Sequence, residues 1–574
     1  MKKIFYSIFS ISLLLTATLA MTSCSDFFDP DTDDELNGDD YISSNTEMYT
    51  GFLGIMTKLQ AIGDKEILLT DTRAELLEPT DNSNPELIAL YNYDTNLQGN
   101  SYADPSGYYE VVIACNDYLT KMKEYRKNPD VDPDIWANLV SSTVRIKAWT
   151  YKTLGEIYGK AVWFDAPITK VTEITEAEGF ELMDMPRLTD KCLELMDNGF
   201  DGVSSDRTID WIAWLDPSNV TNASNSEYRK WNWMVPPYEG IYAELCLWKG
   251  AALDAAKVDA KDYYKKAADA LLKMITYYAD SKYMATPTDP NSSVYWLPSA
   301  ATPGHYKLWD QAQPYQCEVV SALIYDYTKN QTNTLLKHFS NEYPNKYWLR
   351  PSEAGMNNFI DDSFNPGNTG TGDTRYKTTF GRSAGVDYIA KFRPVGSTVR
   401  ANAYQDDVHV YIYRATQYHM MLTEALNHLN RFTAMNGVFN NGVTKEIFVA
   451  GDPEWEGFSR NWTSDAEWGT RRYPSMGIRG CFGLRNRAVA LDILGGVDEA
   501  HRKNDLAILD EYLLEFPVEG KTYAAMNRMA LRYGDLNIVA DRVCPKYEAT
   551  GKAGEIRGKI LAGGNYVPYD LNVK

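Results

Sequence analysis

The chain has 574 residues and a formal net charge of −21, with 57 Lys and Arg against 78 Asp and Glu. No basic block occurs anywhere along it, and this disfavours nucleic acid and other phosphate-rich partners. The length is sufficient for one large domain or several ordinary ones with a sizeable core.

The first residues combine a basic start, an apolar run and small residues before a cysteine. Lys2 and Lys3 precede the mostly apolar run from Ile4 to Ala20, and Thr22-Ser23 stand directly before Cys24. This pattern is typical of a bacterial lipoprotein signal, so we expect residues 1–23 to be removed and Cys24 to be lipidated. An ordinary secretion signal with an incidental cysteine is the alternative.

The residues after Cys24 are acidic and predict a flexible tether over 24–40. Asp29 to Glu35 and the pair Asp39-Asp40 contribute most of its charge. No apolar run after Cys24 approaches the ~20 residues that cross a bilayer. We therefore expect a lipid-anchored body over 41–574, folded as a single domain.

Helical periodicity dominates this body. The spacing of apolar residues predicts a helical hairpin from Tyr238 to Asp280, with long helices over Ala137 to Lys160 and Tyr411 to Arg431. Asp505 to Arg532 predicts another helical pair. Consecutive amphipathic helices of this kind are typical of stacked two-helix repeats.

Long segments rich in Gly, Pro, Asn and Ser separate the helices. Segments of this length are usually functional or partly disordered. They are Pro79 to Pro105, Asp201 to Pro237, Thr286 to Pro314 and Ser340 to Pro394.

Catalytic and metal-binding patterns are weak. The sequence has no Cys-x-x-Cys or His-x-x-x-His motif, and Asp361 to Gly367 has the wrong register for a calcium loop. Glu511, Glu515 and Glu519 are spaced to share a helix face, which we interpret as solvated or salt-bridged. Cys246 is expected to be a buried free thiol. We expect no enzyme activity, no cofactor and no metal.

Six blocks of the sequence carry recognisable patterns. They are Val144 to Gly159, Ala243 to Trp248 with Tyr263, Asp373-Thr374-Arg375, Lys391-Phe392, Tyr413 to Asn427, and Ile508 to Arg528. Taken in this order, the blocks resemble the SusD/RagB family of outer-membrane nutrient-uptake lipoproteins. Thr416-Gln417, Thr522-Tyr523 and the ending Tyr566 to Tyr569 depart from the family pattern.

The resemblance implies a mainly α fold in which tetratricopeptide-like helix pairs support an irregular, loop-rich ligand-binding half with a few short strands. It also implies a cell-surface protein that captures an oligosaccharide or polysaccharide and delivers it to a SusC-like TonB-dependent transporter, anchored in the outer membrane by lipid. The alternative is the same role for a peptide or other non-sugar nutrient, and a glycan-active enzyme is less favoured.

A sugar site needs aromatic platforms and polar side chains on preformed loops. Two loop segments supply both, at places where the family presents ligand-facing residues, although any single ring among them is more often a packing residue. The candidate binding residues are Asn82, Tyr91, Asn92 and Tyr93 in the first segment, and Tyr295, Trp296, Trp309 and Asp310 in the second.

Overall fold

The computed structural model describes most of the chain after the acidic N-terminal segment. The described residues are 45–171, 180–207, 234–280, 319–361, 373, 375–392, 405–443, 447–449, 451–459 and 497–569.

Helices dominate these ranges, in agreement with the mainly α expectation. In chain order they are α1 (Asn45–Ala61), α2 (Lys65–Arg73), α3 (Pro85–Tyr91), α4 (Ser106–Tyr125), α5 (Pro133–Tyr158), α6 (Met185–Asn198), α7 (Tyr238–Ala255), α8 (Lys261–Asp280), α9 (Leu335–Phe339), α10 (Glu353–Ile360), α11 (Tyr376–Thr379), α12 (Ala415–His428), α13 (Phe432–Asn441), α14 (Val497–Glu515), α15 (Thr522–Tyr533), α16 (Asn537–Val543) and α17 (Ala553–Lys559).

Helix α5 shows how local signals fix the ends of an element. Asp132 caps its start, accepting hydrogen bonds from the amides of Asp134 (2.9 Å) and Ile135 (3.1 Å). Its end is Gly159, at φ 71°, where an added Cβ would lie 2.6 Å from the Tyr566 ring. A side chain at residue 159 would therefore be strained by both backbone and neighbour.

The predicted helix pairs are present. Helices α7 and α8 form the hairpin expected over Tyr238 to Asp280, and α14 and α15 form the expected second pair. Helices α4 and α5 pack on each other, as do α12 and α13. The prediction of a helix-pair scaffold is confirmed.

The strands are short and pair two by two in the described ranges. Each pair is antiparallel: β1 (Leu77–Pro79) with β5 (Leu349–Pro351), β2 (Lys160–Trp163) with β3 (Glu181–Asp184), β4 (Val319–Leu323) with β8 (Val410–Arg414), and β6 (Phe380–Ser383) with β7 (Val386–Ile389).

Three sequence predictions are corrected by these elements. The helix predicted from Tyr411 begins only at Ala415, because the preceding residues form the buried strand β8. The segment Pro79 to Pro105 contains α3, and Ser340 to Pro394 contains β5, α10, α11, β6 and β7.

The core contains charged groups as well as apolar side chains. Arg375 is almost fully buried and contacts Asp373 at 2.7 Å, Glu511 at 2.8 Å and Glu515 at 2.7 Å. The two glutamates lie one turn apart on α14. Burial of these charges is compatible with the fold because each has opposite charge and hydrogen bonds around it.

A second cation extends the same network beyond α14. Arg414, at the end of β8, contacts Glu515 at 3.0 Å and Glu519 at 2.9 Å, and Lys391 contacts Glu519 at 2.8 Å. Glu519 follows the end of α14, so the three glutamates do not share one helix face as predicted. They form a buried, salt-bridged cluster rather than a solvated surface.

Candidate functional site

A cavity of about 340 Å³ lies between the start of α2, the connection from α3 to α4, helix α9 and the chain before β5. Its lining combines half-buried rings, an amide and charged side chains, including Asp64, Lys65, Asn84, Tyr102, Lys337 and Trp348.

The pairing of β1 with β5 positions one wall of this cavity. Beyond the ends of the strands, the amide of Thr80 donates to the carbonyl of Trp348 at 3.0 Å, and the Thr80 hydroxyl donates to the carbonyl of Tyr347 at 2.5 Å. The Ser83 hydroxyl also donates to the Trp348 carbonyl. These bonds fix the backbone of Trp348 against the turn that precedes α3.

Asn84 both starts α3 and lines the cavity. Its Oδ1 accepts from the amide of Leu87 at 2.8 Å, which caps the helix, and its Nδ2 donates to the hydroxyl of Tyr102 at 3.1 Å. The local signal for α3 is therefore Asn84 followed by proline at the first helical position.

Tyr102 and His338 are joined by a hydrogen-bond chain whose direction follows from its ends. The Thr334 carbonyl can only accept, so the bond of 2.7 Å from His338 Nδ1 places the ring proton on Nδ1. Burial lowers the pKa of His338 to about 4, so the ring is neutral at pH 7. Its Nε2 therefore accepts from the Tyr102 hydroxyl at 2.9 Å.

Three rings form the apolar part of the cavity wall. The ring of His338 meets that of Trp348 edge-on at 5.0 Å and that of Tyr102 edge-on at 5.7 Å. Trp348 and Tyr102 are half-buried, which leaves part of each ring open to the cavity. Rings held in fixed orientation can stack against a flat apolar ligand face, such as the C–H face of a sugar.

The charged groups of the wall differ in their partners. Asp64 Oδ2 accepts from the Thr334 amide at 2.8 Å and from its hydroxyl at 2.6 Å. Lys65 Nζ donates to the Asp104 carbonyl at 3.0 Å, and Lys337 Nζ lies 5.0 Å from the centre of the Trp348 ring.

A second cavity, of about 760 Å³, lies at the turn between α7 and α8. Two of its polar side chains bond to protein partners: Tyr264 donates to Asp254 at 2.5 Å, and Arg532 Nη1 donates to Asp505 at 2.7 Å. We take the smaller cavity as the candidate site because Asn84 and Tyr102 of its lining belong to Pro79 to Pro105, a segment in which the sequence predicted ligand contacts.

Of the predicted binding residues, Asn82 lies in the turn next to this cavity. Its side chain is exposed, and its amide donates to the Thr80 hydroxyl at 3.2 Å. The turn carries the bonds to Trp348 described above, so Asn82 stands on the same loop as Asn84.

The other three residues of the first segment face the C-terminal part of the chain. Tyr91 packs on Tyr547 with 4.5 Å between ring centres, and Asn92 Oδ1 accepts from Lys552 at 3.1 Å. Tyr93 is buried beneath the guanidinium of Arg73, at 3.8 Å. The structure gives both tyrosine rings a packing role, and ligand contact by them stays a prediction. Cys24, Tyr295, Trp296, Trp309 and Asp310 lie outside the described residues.

The sequence reasoning did not single out Tyr102, Lys337, His338 or Trp348. The one available signal was the aromatic content of Tyr343 to Trp348 within a segment interpreted as a loop. In the described part of the chain, no group of three or more His, Cys, Asp or Glu side chains is arranged to hold a metal ion. None of the described helices is both long and apolar enough to span a membrane.

Comparison with known proteins gives matches by structure. No protein-family sequence model matches the chain, and no curated protein matches it by sequence. A SusD superfamily protein from Bacteroides vulgatus aligns with a TM-score of 0.57 at 12% identity, covering 92% of this chain and 95% of its own.

Two further solved structures are similar over most of their length. NanU of B. fragilis aligns with a TM-score of 0.54 at 13% identity, covering 89% of this chain and 94% of its own. A laminarin-binding SusD-like protein aligns with a TM-score of 0.52 at 12% identity, covering 87% and 94%. At these identities the comparison shows a likeness of fold to these three structures, which extends over about nine-tenths of the chain.

Proposed function

We propose that this protein is a non-catalytic glycan-binding lipoprotein of the outer membrane. It captures an oligosaccharide or polysaccharide at the cell surface and delivers it to a SusC-like TonB-dependent transporter. The observation that carries the proposal is the likeness to SusD-superfamily structures, which include a laminarin-binding protein, across about nine-tenths of the chain.

The cavity beside Trp348 supports a sugar ligand at a specific place. Its rings offer apolar faces, and its amide and charged groups can bond to sugar hydroxyls. A volume of about 340 Å³ is at the lower end of ordinary ligand pockets, and suits one or two sugar rings of a longer chain. We propose Asn82, together with Tyr295, Trp296, Trp309 and Asp310, as further contacts for the rest of that chain.

Calorimetric titration with a panel of neutral and acidic polysaccharides tests the proposal. We expect one class to bind, and Trp348→Ala to weaken that binding at least tenfold because a stacking face is lost. Tyr263→Ala is the matched control, since Tyr263 is a half-buried ring on α8 that does not line the cavity. Absence of binding to every glycan in the panel would refute the proposed function.

The membrane anchor is tested separately. We expect Cys24→Ser to abolish labelling with radioactive palmitate and to release the protein from the outer membrane, because the acyl chains are its only proposed attachment. Deleting Asp26 to Glu35 should reduce surface exposure in protease-shaving experiments and leave glycan affinity unchanged. Membrane retention of the Cys24→Ser variant would contradict the lipoprotein assignment.

A further inference from the structure

The charges of the candidate cavity differ in sign from those of the whole protein. The chain carries −21 overall, yet the cavity wall has two lysines, Lys65 and Lys337, against the single carboxylate of Asp64. His338 is neutral there. A local excess of positive charge in an acidic protein favours a ligand with negative charge.

The two lysines also lack ion-pair partners among the described residues. Lys65 Nζ bonds only to the neutral carbonyl of Asp104, and Lys337 Nζ rests near the face of the Trp348 ring. The fully buried Lys152 and Lys391, by comparison, are paired: Lys152 contacts Glu156 at 2.6 Å, and Lys391 contacts Glu519 at 2.8 Å. The ammonium groups of the cavity are therefore available to a ligand.

The nearby carboxylates are occupied by protein donors. Asp64 accepts both the amide and the hydroxyl of Thr334. Glu86, just outside the cavity wall, accepts the amide of Ser101 at 3.1 Å and its hydroxyl at 2.6 Å. These hydrogen bonds fix both carboxylates and satisfy part of their bonding capacity, so neither forms an ion pair with Lys65 or Lys337.

Lys337 places a positive charge beside the Trp348 ring. Its ammonium lies 5.0 Å from the centre of the Trp348 ring. A sugar stacked on the open part of that ring would bring an acidic substituent within reach of the ammonium, where a charge-assisted hydrogen bond can form.

We propose that this cavity selects an anionic sugar, one that carries a carboxylate or a sulfate ester, through Lys337 and Lys65 beside the Trp348 ring. This inference rests on the proposed function and specifies the class of glycan.

The test uses pairs of polysaccharides that differ only in charge. The intact protein is titrated with galacturonan, hyaluronan and alginate, each against its carboxyl-reduced form, and with chondroitin sulfate against its desulfated and carboxyl-reduced form. We expect at least one acidic form to bind at least tenfold more tightly than its neutral partner. That preference should weaken as salt is raised, because screening reduces the attraction between charges.

Single substitutions then test whether the lysines of the cavity cause the preference for the acidic form. We expect Lys337→Met to reduce affinity for the acidic form about tenfold and affinity for the neutral form by clearly less, and Lys337→Arg, which keeps the charge, to retain the preference. Lys65→Met should act in the same direction. Lys346→Met is the control, since Lys346 is exposed and lies outside the cavity wall. Circular dichroism verifies that each variant is folded.

Each outcome has a distinct meaning. Equal binding of acidic and neutral forms overturns the anionic preference and leaves the glycan-binding function intact. An acidic preference that survives both lysine substitutions overturns its assignment to this cavity. Failure of every polysaccharide to bind overturns the glycan-binding function and this inference together.

Discussion

His338 determines the shape of the candidate site although its own ring is buried. Both ring nitrogens are used, Nδ1 as a donor to Thr334 and Nε2 as an acceptor from Tyr102. The edges of its ring meet Trp348 and Tyr102, so one neutral side chain orients two potential platforms. Protonation at Nε2 would remove the acceptor and loosen this arrangement.

Removing the Tyr102 hydroxyl tests the hydrogen-bond chain. We expect Tyr102→Phe to lower the free energy of unfolding by about 1–3 kcal/mol, because the buried Nε2 of His338 loses its donor. Urea denaturation measures the change. Tyr343→Phe is the control, since the Tyr343 side chain is 93% exposed. Equal stability of Tyr102→Phe and wild type would contradict a stabilising hydrogen bond between Tyr102 and His338.

The lowered pKa of His338 predicts a loss of stability in acid. Its pKa is about 4 in the folded protein and about 6.5 in the unfolded chain. Between these values the unfolded state binds more protons, so stability falls as pH decreases from 6.5 to 4, by up to about 1.4 kcal/mol per pH unit from this group. Above pH 6.5 His338 has no such effect.

Urea denaturation across this pH range, with His338→Gln for comparison, isolates the contribution of His338. The neighbouring charges act in opposite directions, since Asp64 raises its pKa and Lys337 lowers it. We expect the variant to lose less stability than wild type between pH 6.5 and 4, because glutamine does not titrate. Identical pH dependence of the two proteins would rule out a depressed pKa for this histidine.

At the scale of elements, the long helices were predictable and the short elements were not. Helix α5 has a cap, a strong apolar pattern and a terminal glycine, all of which are local signals. Strand β8 is buried at every residue, so its sequence does not alternate between polar and apolar residues. For this reason its pattern resembles a continuation of the helix α12 that follows it. Helix α3 is short, yet Asn84-Pro85-Glu86 is a recognisable start that the loop interpretation overlooked.

The candidate site could be predicted only in part for the same physical reason. Tyr102 and His338 are 236 residues apart, and their contact depends on how α9 packs against the start of α2. The pairing of β1 with β5 that positions Trp348 spans a similar separation. Local patterns contain no information on such pairings, whereas the polar turn that carries Asn82 can be recognised from the sequence alone.

Helix α14 contributes Glu511 and Glu515 to the buried salt-bridge network. Replacing one of these glutamates by glutamine tests how much its charge stabilises the fold. We expect Glu515→Gln to lower the free energy of unfolding by about 3 kcal/mol or more, because Arg375 and Arg414 lose a shared counter-charge in the interior. Glu555→Gln is the control: Glu555 pairs with Lys559 on the exposed surface of α17 and should leave stability unchanged. If both substitutions change the free energy of unfolding equally in urea denaturation, the buried charge of Glu515 does not stabilise the fold.

At the scale of the whole molecule, the end of α2 and the residues directly after it bond to residues near the C-terminus. Arg73 Nη2 donates to the carbonyls of Gly564 at 2.5 Å and Tyr566 at 3.1 Å. Lys546 donates to the carbonyls of Thr72 at 2.8 Å and Leu77 at 3.0 Å. The N-terminal helices are therefore completed by C-terminal residues.

Truncation of the C-terminus tests whether these contacts stabilise the fold. We expect removal of residues 553–574 to lower the melting temperature by several degrees and to accelerate proteolysis, because Arg73 loses both carbonyl partners while remaining buried. Removal of residues 570–574 is the control, since it leaves these contacts in place. Unchanged melting of the longer truncation would show that the C-terminal residues are dispensable for the fold.

The contacts of Arg73 with Gly564 and Tyr566 can form only late in the synthesis of the chain. Arg73 and Tyr566 are 493 residues apart, which at ordinary rates of about 5–20 residues per second separates their synthesis by about 25 to 100 seconds. During that interval the guanidinium of Arg73 has no access to its final carbonyl partners. These contacts therefore form only after nearly the whole chain has been made, which is compatible with the proposed export of the chain across a membrane in an unfolded state.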